Sequence, residues 1–472
     1  MENHNYKKII LINPPSALET PVLPLGLASI AGYLKSNRFD VSVIDAWAEN
    51  MELLELKNKV SQSEADIIGV SITTPRYNEA KSTIEICRQA LPKAIIIAGG
   101  HHPSALPAET LNEIPELDIC AIGEGEITMA ELIKALQENW QLSRVDGIAY
   151  RENNEIRITK SREFIKDLDI LPFPARELFP LEKYKPYSPL GKENPSFITI
   201  TSRGCPFRCT FCSKDVFKQT FRARSAKNVC DEIEELITKY GAREIPFLDD
   251  DFTMNMKRAE EICDEIIKRR LKFHWTCQTR VNQINEPLLK KIKKAGCWLI
   301  AYGVESGSQK ILDSINKDFT VNQVVSAFSM AQRVGLSTGC NIIFGLPGET
   351  KETIQDTLNL VKKIKPNVIS YGILTVYPGS RLFELIKSGK YPGKLRTLKE
   401  GESIPGTFFK GDHIIFEENL TFEQLREIAQ KATREFYLRP QYVIQSMKNI
   451  RSFSDFKYYF RSGLKVIKSA IG

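Results

Sequence analysis

Phe197-Ile-Thr-Ile-Thr-Ser-Arg-Gly204 runs directly into Cys205-Pro-Phe-Arg-Cys209-Thr-Phe-Cys212. The first half reads as a strand that ends at its glycine. The second half sets three cysteines on one tight loop, with three and then two residues between them. Three thiolates so placed can each take one iron of a cubic cluster. The fourth iron then lacks a protein ligand and is open to bind and activate a substrate. Phe211 fits beside the last cysteine as an aromatic ring at the cluster's edge. A structural zinc knuckle is the competing reading, but it wants a fourth ligand and paired cysteines on separate turns. Cys87, Cys120, Cys230, Cys263, Cys277, Cys297 and Cys340 instead fall singly in helix-like or strand-like stretches, where a small buried thiol is the default.

Downstream of that loop, strand-like runs alternate with helical patterns. The runs are Phe197 to Ser202, Glu244 to Leu248, His274 to Thr279, Trp298 to Val304, Gly339 to Phe344 and Val368 to Val376. Six β/α units predict an open or partial barrel over residues 196–385, with its chemistry at the carboxyl ends of the strands. Those ends carry Asp249-Asp250-Asp251-Phe252, Arg280, Glu305-Ser306-Gly307-Ser308, Gly345-Leu-Pro347-Gly-Glu349 and Tyr377-Pro-Gly-Ser380. Three adjacent acids are costly together unless an amine, a metal or water takes up the charge. At least one of them reads as a solvated loop acid or a helix cap.

Upstream, residues 7–136 carry five apolar runs separated by helical patterns: Lys8 to Ile12, Val41 to Ile44, Ile67 to Ile72, Ala94 to Ala98 and Leu117 to Ile122. This order predicts a doubly wound parallel sheet over residues 1–143, whose ligands lie outside the carboxyl ends of the strands. Asn13-Pro14-Pro15, Ser71-Ile-Thr73-Thr74, Gly99-Gly100-His101-His102 and Gly123-Glu124-Gly125-Glu126 occupy those ends. Glycines there let backbone approach a bulky flat ligand, although Gly99 and Gly100 equally suit a tight strand-to-helix turn. Residues 144–195 read as a small hairpin around Glu152-Asn-Asn-Glu155 and a proline-punctuated linker, and residues 386–472 as a helical, basic region.

A chain of 472 residues, 42% hydrophobic and 26% charged, suits two to four globular domains. The start, Met1 to Lys8, leads into a strand broken by Asn13-Pro14-Pro15 and does not read as a signal peptide. No run of 18 apolar residues suggests a spanning helix, and the scattered cysteines favour a reducing, cytoplasmic compartment. Net charge is +7, and from Lys431 to Gly472 nine lysines and arginines face only Glu435 and Asp455, so the basicity belongs to the tail. Phe456 to Ile471 mixes aromatics with lysines, as an amphipathic helix packed on the body does, or one in peripheral contact with an anionic membrane. Nucleic acid is disfavoured, because the aromatics sit among aliphatics. No Walker loop, Gly-x-Ser-x-Gly elbow or His-Glu-x-x-His is present.

The cysteine loop followed by a partial barrel resembles the radical S-adenosylmethionine (SAM) superfamily. The sheet with Asn-Pro-Pro, Ser-x-Thr and Gly-Gly-x-His strand ends looks like a cobalamin-binding domain. Together they are similar to the cobalamin-dependent radical SAM enzymes, a group that includes methyltransferases and the anaerobic Mg-protoporphyrin ester cyclase. The resemblance runs to about residue 385, and Phe436-Tyr-Leu-Arg-Pro440 is also typical.

It implies that Cys205, Cys209 and Cys212 ligate a [4Fe–4S] cluster whose free iron chelates SAM, with Phe211 flanking the adenine. Asp249 and Asp250 would receive the methionine amine, Glu305 and Ser306 would contact the methionine or ribose end, and Gly345 and Pro347 would lie near the adenine. Tyr377 to Gly379 would line the last edge of the site. Cobalamin would lie on Asn13, Pro14, Ser71, Thr73, Gly99, Gly100, His101, Gly123 and Glu124. Many such domains carry an Asp-x-His-x-x-Gly loop below the cobalt. Here no histidine stands between His4 and His101, and Asp45-Ala-Trp47-Ala-Glu-Asn50 is the nearest look-alike, which implies cobalt without a histidine ligand. The implied chemistry is reductive cleavage of SAM to a radical that takes hydrogen from an unactivated carbon, followed by C-methylation. Oxidation, cyclisation or rearrangement is the enzymatic alternative, and a carrier of corrinoid or iron and sulfur without turnover is the alternative of another class. A low-potential donor, flavodoxin or ferredoxin, and a small-molecule or lipid-like substrate are the implied partners.

Overall fold

A computed structural model of the chain describes residues 8–16, 20–184, 191–398, 414–440 and 442. Strands β1 (Lys8–Asn13), β2 (Asp40–Asp45), β3 (Ile67–Ser71), β4 (Ile95–Gly99) and β5 (Ile119–Ala121) pair in parallel. The antiparallel hairpin β6 (Ile148–Glu152) and β7 (Glu155–Ile158) extends them, giving the order β2-β1-β3-β4-β5-β6-β7. Strand alternation explains why β1 is apolar at nearly every position. Ile9 and Leu11 enter one core and Ile10 and Ile12 the other, as a parallel sheet covered on both faces requires. Helices Leu25–Ser36 and Gly125–Gln137 cover the first face, and Leu53–Ser63 and Tyr77–Ala90 the second. The winding reverses between β1 and β3, which opens a crevice at their carboxyl ends. Asn13 and Ser71 stand there.

The second sheet is parallel and follows chain order: β10 (Glu244–Pro246), β11 (His274–Thr279), β12 (Cys297–Glu305), β13 (Ser337–Phe344) and β14 (Val368–Ile373). It is preceded by a two-residue ladder, β8 (Ser202–Arg203) with β9 (Arg222–Ala223), which brackets the cysteine loop. The expected first strand, Phe197 to Ser202, is irregular. Its Phe197 and Thr199 amides donate to the Glu244 and Pro246 carbonyls at 3.0 and 3.1 Å, but the chain then leaves β10 so that Ser202 can pair with Ala223. The six expected strands thus become five and a partial rung. In β11, Trp275, Cys277 and Thr279 are buried while His274, Thr276 and Gln278 stay half-buried on the other face. Helices Ala226–Tyr240, Met256–Lys268, Glu286–Lys294, Val321–Val334 and Lys351–Ile364 form the outer layer. Each starts on a capping side chain, in turn Ser225, Asn255, Asn285, Thr320 and Thr350, that accepts an otherwise orphaned backbone N–H.

The region after the barrel is not helical alone. β15 (Lys394–Thr397) and β16 (Ile414–Glu417) form an antiparallel pair, and helix Phe422–Tyr437 follows. Phe422, Leu425, Ala429 and Phe436 enter the barrel core. At its end the Tyr437 hydroxyl donates to the Ile369 carbonyl at 2.6 Å and accepts from the Ile369 N–H at 3.2 Å. The aromatic, basic segment 456–471 lies outside the described residues. Among the described residues no helix is long and apolar enough to cross a membrane.

Candidate active site

The cysteine loop is pinned from several directions. Gly204 sits at φ +82°, and a Cβ there would run into the Thr220 carbonyl, so the turn before Cys205 needs glycine. The Thr210 N–H donates to the Ile315 carbonyl at 3.1 Å, and the Thr210 carbonyl accepts from Leu382 N–H at 2.8 Å. Cys205, Cys209 and Cys212 are all free and remain half-buried or exposed, whereas the seven other cysteines are buried. Partial loss of water raises the Cys205 thiol and the Cys212 thiol above the usual thiol value, and at Cys212 the charges of Asp250 and the two other cysteines add to it while Lys214 opposes them. Three thiolates at such a site need a cation to hold them ionised.

The donor set fits a cluster better than a single ion. Among the described residues no three His, Cys, Asp or Glu side chains converge closely enough to hold one metal ion, whereas each cysteine of a cubane meets a different iron. Phe211 packs beside the loop with Ile311, Leu346 and Leu374.

The three strand-end acids differ. Asp249 is buried, and one carboxylate oxygen accepts from the Thr201 N–H at 3.1 Å, the Thr201 hydroxyl at 2.8 Å and the Ser202 hydroxyl. Its other oxygen is buried without a hydrogen-bond partner. Asp251 is buried against Thr279 at 2.8 Å, and burial raises it to about 6. Asp250 alone is exposed. Although the residue as a whole is open to solvent, loss of water on the protein-facing side of its carboxyl and the charge of Asp249 raise its pKa, while His101 and Lys214 oppose them. Asp251 too has one oxygen buried without a hydrogen-bond partner, so an ammonium group at this strand end would meet one open carboxylate and two acids with an orphaned oxygen, and the residues fit the amine of an amino-acid-like ligand.

Glu305 stands at φ +66° and is ion-paired with Lys317 at 2.8 Å. Ser306 next to it turns into the loop, where its hydroxyl meets the Ser308 N–H at 3.2 Å and the Thr357 hydroxyl at 3.3 Å. Gly345 donates its N–H to Glu349 at 2.6 Å, and Pro347 accepts from Ser314 at 3.3 Å. Gly379 lies against the Asp215 carboxylate, and Tyr377 is half-buried beside it in sequence.

Between the two sheets lies a cavity of about 460 Å³. The first sheet lines it with Asn13, Ser71, Thr73, Gly99, Gly100, His101, Gly123 and Glu124, and the barrel with Ser202, Arg203, Val216 and Phe217, which flank the cysteine loop. Of the strand-end residues expected to face a ligand, Pro14 is not on the wall; its carbonyl is bonded by Arg76. Gly100 sits at φ +112° with the Ile72 carbonyl 2.7 Å from where a Cβ would be. Burial lowers the His101 imidazole, and the charges of Asp215 and Asp250 pull it back up.

Charged residues that composition did not single out hold this seam. Arg203 donates to Glu124 at 2.7 Å and to Glu126 at 2.5 Å, and Arg222 donates to Glu124 at 2.9 Å. Burial works against the Arg203 charge, but Glu126 and Glu124 outweigh it and hold its pKa above the usual value. Glu124 also accepts from the Ile165 N–H at 3.1 Å, so both its oxygens are committed within the protein. Arg76 is a second missed residue: it lies 4.8 Å over Trp47, donates to Asn13 at 3.2 Å and lines the cavity. Asn13 in turn donates to Asp45 at 2.8 Å, which also accepts from Tyr184 at 2.6 Å. An Arg beside a cysteine motif was the one available sequence signal for Arg203; Arg76 offered none.

Two family models match the chain. Residues 199–361 match the radical SAM superfamily and residues 16–133 the B12 binding domain. An uncharacterized methyltransferase of Pyrococcus horikoshii is 34% identical over 447 residues, covering 93% of this chain and 94% of that protein. The anaerobic magnesium-protoporphyrin IX monomethyl ester cyclase of Rubrivivax gelatinosus is 33% identical over 370 residues, 76% of this chain but 66% of the cyclase. In fold the chain resembles the radical S-adenosylmethionine methyltransferase TsrM of Kitasatospora setae, solved with cobalamin and a [4Fe-4S] cluster, at a TM-score of 0.75 and 15% identity over 92% of this chain and 91% of TsrM.

Proposed function

The chain belongs to the cobalamin-dependent radical SAM enzymes, whose cofactors are a [4Fe–4S] cluster, SAM and cobalamin, and on that footing we propose that it methylates an unactivated carbon of a small-molecule or lipid-like substrate. The observation that carries this reading is the shared cavity, with the B12-type strand ends on one wall and the residues flanking the cysteine loop on the other. When bound, the cluster and SAM supply a carbon-centred radical generator and the corrinoid supplies the methyl group.

The protein's own part is placement and exclusion of water. Cys205, Cys209 and Cys212 would hold the cluster, and Asp250 with the orphaned Asp249 oxygen would take the ligand's ammonium group. Glu305, held by Lys317, would stand at the ribose end. Ser71, Thr73, Gly99, Gly100 and Gly123 would form the flat floor for the corrinoid, with His101 at its rim towards Asp215 and Asp250. Glu124 would not touch the corrinoid; it would fix the wall through Arg203 and Arg222. Flavodoxin or ferredoxin would be the electron donor.

The test is anaerobically reconstituted protein given hydroxocobalamin, SAM and a low-potential reductant, with products read by mass spectrometry. Retained corrinoid with both 5′-deoxyadenosine and S-adenosylhomocysteine is expected. Deoxyadenosine without the homocysteine product would overturn methylation in favour of oxidation or ring formation, the reading that the cyclase relative favours.

A further inference from the structure

Arg280 follows β11 and is 6% exposed. Its guanidinium carbon lies 3.7 Å from the centre of the Phe207 ring and 5.3 Å from that of Phe319. Nη2 donates to the Lys317 carbonyl, and Nε reaches Asn282 at 3.4 Å. With the fork fixed at these points, Nη1 donates to the Cys209 sulfur at 3.5 Å. A planar cation clamped by two aromatic faces and a backbone carbonyl cannot swing to solvent as a lysine would. Lys214, on the cysteine loop itself, illustrates the contrast, since its ammonium reaches the Cys205 carbonyl at 3.3 Å instead of a sulfur.

We propose that Arg280 is a positioning residue that raises the reduction potential of the cluster by keeping one N–H and a full positive charge on the Cys209 sulfur. An electron added to the cluster spreads over its sulfurs, and a donor on a ligating sulfur stabilises that charge most when it is buried. The couple takes one electron from the external reductant and transfers no proton. The inference rests on the three cysteines holding the cluster.

The experiment is an EPR-monitored redox titration of full-length, anaerobically reconstituted wild type, Arg280→Gln, Arg280→Lys and Phe207→Leu, with iron and sulfide measured on each. At the wild-type midpoint, Arg280→Gln should lower the ratio of reduced to oxidised cluster about tenfold, equivalent to a shift of about 59 mV to lower potential for one electron. Phe207→Leu keeps the cation but loosens its seat, and should shift the midpoint the same way by less. A fully loaded Arg280→Gln protein with the wild-type midpoint overturns the proposal. If that variant holds no cluster, unchanged midpoints in both Arg280→Lys and Phe207→Leu overturn it. A wild type with no cubane signal would instead overturn the assignment of the cysteines, and the proposal with it.

Discussion

Glu124 and Arg203, 79 positions apart in sequence, meet at 2.7 Å across the seam between the two sheets, and both are largely buried. Arg203 immediately precedes Gly204 and Cys205, while Glu124 closes the last strand-end loop of the first sheet. One ion pair thus ties the wall of the cavity to the root of the cysteine loop.

Breaking that tie from one side should be costly. Glu124→Gln leaves Arg203 and Arg222 short of compensating charge, and loss of one partner of a buried pair typically costs about 3–5 kcal/mol. Denaturant unfolding of Glu124→Gln against wild type should show it, and Arg203→Met, which strips the same partner from both Glu124 and Glu126, should cost at least as much. A single-variant cost below about 1 kcal/mol would place the pair among weak surface bridges.

Acid should weaken the fold through Glu232. Burial opposes its ionisation, but Arg224 and Arg176 outweigh it and hold the carboxyl at about 2 against an ordinary 4.5. The unfolded chain therefore binds the proton more readily. The stabilisation, about 3 kcal/mol, is fully present above pH ~4.5 and is lost as pH falls towards ~2. Urea midpoints at a series of pH values should fall across that window and flatten there in Glu232→Gln; an unflattened profile would assign the acid sensitivity to other groups.

Gly100 tests the floor of the cavity. At φ +112°, with the Ile72 carbonyl 2.7 Å from a Cβ, alanine would be strained and would push this turn outward. Gly100→Ala should retain at least tenfold less corrinoid after gel filtration while keeping its iron and sulfide. Undiminished corrinoid retention would move the corrinoid off this strand end.

Local patterns carried the fold well. The isoleucine runs of the first sheet and the motif of Cys205, Cys209 and Cys212 announce themselves because spacing alone encodes them. Long-range chemistry was hidden. Glu124 reads as part of a ligand loop, yet its oxygens are taken by Arg203 and Arg222, which no spacing could pair with it. Ser306 reads as a strand-end hydroxyl, yet its neighbours Ser308 and Thr357 engage it. Phe197 to Ser202 has strand composition, but Ser202 and Arg203 are drawn off to pair with Arg222 and Ala223, which leaves only a partial rung.

The paired hydrogen bonds between Tyr437 and Ile369 reach beyond the active site. An open parallel sheet ends in a strand whose outer N–H and C=O groups invite another chain to add itself. Here a phenol takes one N–H and one C=O of that rim, and the helix carrying it, Phe422–Tyr437, packs over β14. Helix Phe422–Tyr437 therefore occupies the place where a further strand would add, a side chain standing in for the next rung of the ladder.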